Sequence, residues 1–124
     1  MKHLLASTLL SVALPATADE PVVEDASARQ TGSTWSISVT LIHPDTGWDH
    51  YADGWEVLDP DGNSLGIRVL AHPHVNEQPF TRSKGNISIP DALDHVLIRA
   101  KDNVDGWGQT TYRLDLNRQQ ARGE

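Results

Sequence analysis

The sequence predicts an all-β protein, an antiparallel β-sandwich of about six or seven short strands. Three observations carry this reading. Apolar and polar residues alternate at period two in separate stretches, as in Trp35-Ile37-Val39-Leu41 and Val96-Ile98-Ala100, which is the pattern of strands with one buried face. Clusters of Pro, Gly, Asp and Asn recur between these stretches, and such residues supply the dihedral angles and local hydrogen bonds of turns. No segment holds a helical period over two turns; Asp91-Ala92-Leu93-Asp94 has room for a single turn at most. An α/β layering is therefore excluded.

The N-terminus predicts export. Met1-Lys2-His3 is a short positive region, Leu4 to Leu14 is apolar, and Ala16-Thr17-Ala18 is an A-x-A cleavage site, so residues 1–18 read as a cleaved secretory signal. The expected location is periplasmic or extracellular. The apolar run is too short to cross a hydrocarbon core of about 30 Å as a helix, and no later run approaches the required length, so no membrane span is expected. The 124 residues suit one domain. A net charge of −7 without a basic stripe excludes nucleic acid as a partner. The chain has no cysteine and its one methionine is Met1, which excludes thiolate chemistry, a blue-copper site and a Met-rich Cu(I) site. The fold must rest on burial and hydrogen bonds alone.

Residues 19–33 are acidic and small, and read as a tether or a loosely attached first strand around Val22-Val23. The sandwich itself is expected over 34–117. In its first clear strand Trp35, Ile37, Val39 and Leu41 share a face, and His43 follows in the same phase before Pro44 ends the run. Pro44-Asp45-Thr46-Gly47 is a turn cluster, and Trp48 to Gly54 is a connection rich in aromatic and ionisable groups. Trp55 to Leu58 resumes a strand, and Asp59-Pro60-Asp61-Gly62-Asn63 closes a hairpin onto Leu65 to Ala71. There Leu65, Ile67 and Val69 share one face, with Arg68, Leu70, His72 and His74 on the other. Pro73 removes a backbone donor and marks an edge or a departure from the sheet. A short strand at 86–89, a strand with Val96, Ile98 and Ala100 in phase, a Gly/Asp loop at 102–108 and a last strand through Tyr112, Leu114 and Leu116 complete the domain. The polar tail, 118–124, is expected to fray.

The run His95 to Asp102, the glycine loop and Thr110 to Leu116 resemble the last hairpin of immunoglobulin-like or fibronectin-III-like domains. The likeness covers about 22 residues and lacks the Cys…Trp…Cys pattern of antibody domains. It implies an immunoglobulin-like sandwich and carries no function with it.

Two functional readings follow. The first is an exported, non-enzymatic binding or interaction module working through loops 43–51, 72–80 and 102–108, with Trp48, Tyr51 and Trp107 as a recognition surface, because loop aromatics often meet a ligand. The second is a periplasmic divalent-metal protein for Zn²⁺ or Cu²⁺. His72 and His74, at i and i+2 on an extended segment, can reach one ion, with Glu77, His43 and His50 as further donors. A structural alternative makes 72–80 a strap, with Glu77, Gln78 and Arg82 bonded around Phe80. Catalytic motifs such as G-x-S-x-G and H-E-x-x-H do not occur. Asp102, Asn103 and Asp105 resemble a fragment of a calcium loop, but without the required Gly and Glu spacing.

Overall fold

In the computed structural model, which describes residues 20–117, the chain forms two antiparallel sheets and no helix. The leader expected at 1–18 and the tail at 118–124 lie outside the described residues. The strands are β1 (Val22–Thr31), β2 (Thr34–Ile42), β3 (Ala52–Leu58), β4 (Ser64–Val69), β5 (Phe80–Ile87), β6 (His95–Asp102), β7 (Gly106–Trp107) and β8 (Tyr112–Asp115). One sheet has the order β1-β2-β5; the other has β4-β3-β6, with β7 and β8 as two pieces along the free edge of β6. The fold is a β-sandwich, as the alternation predicts.

The predicted phases set the core. Trp35, Ile37, Val39 and Leu41 of β2 face Val96, Ile98 and Ala100 of β6 across an interior that also holds Trp55, Val57, Phe80 and Ile87. Residues 22–31 are a full strand paired along their length with β2 through a two-residue loop, where Gly32 takes a φ of 66°. Their composition hid this, because an edge strand with both faces largely wet needs no sustained apolar period. The Asp59 hairpin forms as expected: the Asp59 carboxylate accepts the Asn63 amide and side-chain N–H, and to a lesser degree the Asp61 amide, which holds it below its ordinary pKa.

Two strands differ from expectation. β5 begins at Phe80, six residues before the expected strand at 86–89, because only Phe80 and Ile87 of it are buried. Its outer face is polar and is tied to β2 by hydroxyl pairs, Ser38–Ser83 at 2.6 Å and Thr40–Thr81 at 2.7 Å; such cross-strand pairs stabilise a wet face. In β4 the apolar members Ile67 and Val69 face outward, while Gly66 lies against Ile87 and the next in-phase apolar residue, Leu70, is buried.

Between β4 and β5 the segment 70–79 has no strand structure and closes one end of the sandwich. It is the strap expected from its composition: Arg82 pairs with Glu77 at 3.1 Å, and the His74 ring stacks on Phe80 with centroids 4.0 Å apart. Burial pushes the His74 imidazole below the ordinary histidine pKa, helped by the charges of Arg82 and His72 and opposed by Glu77 and Asp45.

Two outcomes are expected. Ile98→Ala, a truncation at a fully buried centre, destabilises the domain by about 2–5 kcal/mol in urea titrations with an unchanged m value. Below pH 6.5 the unfolded chain takes up a proton at His74 that the folded chain resists, so stability falls with falling pH from the ordinary histidine range down to the depressed folded value. His74→Phe keeps the stack on Phe80 and removes the titrating group. Its stability profile from pH 7 to 5 should be flatter than that of the parent; an equal slope would assign the acid sensitivity elsewhere.

Candidate metal centre

The core phases of β2 and β6 do not stop where their apolar residues stop. In β2 the inward series Trp35-Ile37-Val39-Leu41 runs on through His43 and Asp45, both buried; in β6 Val96-Ile98-Ala100 runs on to buried Asp102. The two strands belong to different sheets, so their polar ends meet at one end of the core. The loop between β2 and β3 then adds a third group. Gly47, at a φ of 143° that favours glycine, and the exchange of Thr46 N–H to His50 O (2.9 Å) and His50 N–H to Gly47 O (3.1 Å) fold His50 back over His43. The two imidazoles meet edge to face with centroids 4.8 Å apart.

One donor atom from each of His43, His50 and Asp102 lies within 4.8 Å of the other two. His43 Nε2 is 3.8 Å from Asp102 Oδ2, and His50 Nε2 is 3.5 Å from Asp102 Oδ1. His43 Nε2, His50 Nε2 and Asp102 Oδ2 are all buried and have no hydrogen-bond partner within the protein. Buried polar atoms are nearly always satisfied, and three unsatisfied ones gathered at one end of the core make this a candidate ligand site. A tetrahedral ion with arms of about 2.0–2.1 Å needs donors about 3.3 Å apart, so side-chain rotations that draw these atoms together would let the trio hold one.

The supporting groups fix these donors. His43 Nδ1 donates to Asp45 Oδ1 at 2.6 Å, which sets the tautomer that leaves the Nε2 lone pair facing Asp102. Asp45 also accepts the Ala52 amide (2.9 Å) at Oδ1 and the His74 amide (2.8 Å) at Oδ2. Gln78 completes the strap: its Oε1 accepts the His43 amide and its Nε2 donates to the His74 carbonyl. On the opposite side Asn103 joins the two loops, accepting the Tyr51 amide at 2.8 Å and donating to the Trp48 carbonyl at 3.1 Å. Asp102 Oδ1 accepts the Val104 and Asp105 amides, so the carboxylate that faces the imidazoles also folds its own loop.

Electrostatics favour a cation here. Among the described residues neither Asp45 nor Asp102 has a lysine or arginine within ion-pair distance; the ionisable side chains within that distance are the imidazoles of His43 and His50, and none is a permanent cation. Burying carboxylates is costly without compensating charge. Nitrogen and oxygen donors of this type suit Zn²⁺ and Cu²⁺.

Of the residues singled out from the sequence, His43 and His50 come together, joined by Asp102. His72 and His74 are neighbours, with ring centroids 4.8 Å apart, but His72 is exposed, Glu77 is engaged with Arg82, and His74 reaches the centre through its backbone. Trp48 is 66% exposed and packs edge to face on Tyr51 at 5.5 Å. Trp107 lies in β7 with the Arg99 guanidinium 4.4 Å and the Lys101 ammonium 5.7 Å from its ring centre, so it is covered by cations on β6. Asp102 and Asp45 had not been expected as site residues. The signal was present in the period itself, one step beyond Ala100 and one beyond His43.

A protein of Halomicrobium mukohataei named "Putative lipoprotein" is 43% identical to this chain over 84 residues, which make up 68% of this chain and 41% of that protein. The chain thus spans less than half the length of this relative. No family model matches the sequence, and no solved structure matches it.

Proposed function

We propose that the protein is an exported β-sandwich module that binds a divalent transition-metal ion, Zn²⁺ or Cu²⁺, through His43, His50 and Asp102. The observation that carries this is the convergence of three buried, unpartnered donor atoms at the end of the core. Asp45 orients His43, and the strap 72–80 holds Asp45 and His43 in place; His72, His74 and Glu77 serve as support and lie outside the ligand set. Export is supported by the leader-like N-terminus and by the lipoprotein name of the Halomicrobium relative. We read the strand order β1-β2-β5 against β4-β3-β6-β8 as an immunoglobulin-like sandwich whose loop end carries the site.

A second reading is compatible with the first. Trp48, largely exposed beside Tyr51, stands on the same loop as His50, and this supports a recognition surface adjoining the ion.

Two tests follow. Zinc titrated into the metal-stripped protein should raise its unfolding free energy by about 2.7 kcal/mol at a free concentration a hundred times Kd, and His43→Ala or Asp102→Asn should abolish the gain. Equal stabilisation of the parent and both variants would remove the site. Asp45→Asn leaves all three ligands present but loses an anionic acceptor shared by His43, Ala52 and His74; metal affinity should fall about 10–100-fold by calorimetry, as for other groups that orient a ligating histidine.

A further inference from the structure

The trio leaves one question of composition open: what fills the fourth position of a tetrahedral ion. We infer that Asp105 is the fourth ligand and closes the site from the solvent side, an inference that rests on the metal reading above.

The donors already described enclose the ion on the core side, where the side chains of His43 and Asp102 are wholly buried. The remaining direction opens past His50, whose side chain is 24% exposed, and there stands Asp105, 39% exposed. Asp105 Oδ2 is 3.8 Å from His50 Nε2, the same separation as between His43 Nε2 and Asp102 Oδ2. Its main chain is anchored to a ligand, because Asp102 Oδ1 accepts the Asp105 amide at 2.6 Å. Gly106 then turns the chain back at a φ of 80° into β7. Position is thus fixed at the backbone while the side chain is free to rotate inward.

The alternatives are occupied elsewhere. Both oxygens of Asp45 are taken by His43, Ala52 and His74, and Glu77 is paired with Arg82. A closed set of two histidines and two aspartates is a holding site, without the exchangeable water that three-ligand catalytic sites retain.

Cobalt(II), whose visible bands report coordination number, is the probe. Four-coordinate bands that azide does not change are expected for the cobalt-loaded protein. Asp105→Asn should bind cobalt and zinc at least about 10-fold more weakly and give bands that shift with azide, because the fourth position is then exchangeable. Asp49→Asn, a substitution of an exposed carboxylate in the facing loop, controls for lost negative charge and should leave both readouts unchanged. The inference is overturned if the parent spectrum responds to azide, if Asp105→Asn retains parental affinity, or if Asp49→Asn weakens binding equally. His43-dependent binding that ignores Asp105 sinks this inference alone; a parent protein that takes up neither metal sinks the metal reading with it.

Discussion

The buried carboxylate of Asp45 is the interaction on which the loop end of the molecule depends. It accepts hydrogen bonds from the His43 ring, the Ala52 amide at the start of β3 and the His74 amide in the strap. Three segments far apart in sequence are thereby referred to one group. Charge-assisted bonds of this kind are worth roughly 1.5–3 kcal/mol each when buried, and their geometry matters as much as their strength. The bond to His43 decides which ring nitrogen faces the core end, and the bond to His74 brings the strap over it.

Much of this was legible in the chain. The period-two runs placed the core faces of β2 and β6 correctly and the Asp59 turn placed a hairpin, but β4 ends at Val69, short of the expected Ala71 and four residues before Pro73. His43 was recognisable because it falls in the apolar phase of β2. Asp102 occupies the equivalent place in β6, but a carboxylate after an apolar run reads as the start of a loop. Nothing local distinguishes a polar residue that ends a strand from one that continues its buried face. The distinction arises only when two such strand ends, from different sheets, satisfy one another.

The remaining differences have the same origin. β1 and β5 are wet on one or both faces, so their pairing rests on backbone bonds to β2, with hydroxyl contacts added in β5, rather than on hydrophobic spacing. In β4 the period identified two faces but not which one turned inward. That choice is made by the close approach of Gly66 to Ile87, a tertiary fact. The histidines at 72 and 74 drew attention as a short metal motif. They illustrate the reverse case, in which a chemically suggestive spacing serves architecture: the strap uses the His74 backbone and ring face, and Gln78, to hold the histidine that does face the donors.

A chain without cysteine has no covalent means to join its loops. Here the β2–β3 and β6–β7 loops are joined by Asn103, whose amide reaches Tyr51 and Trp48, and by the facing donors of His43, His50 and Asp102. An ion held between those donors would close a loop of roughly sixty residues, a constraint on the unfolded chain comparable in kind to a disulfide. It would also remove the cost of the unpaired buried atoms that the folded chain otherwise carries. The two effects act in one direction. The groups that leave the loop end incompletely satisfied in the protein alone are those a bound cation would satisfy, and Trp48 is exposed on the loop that carries His50.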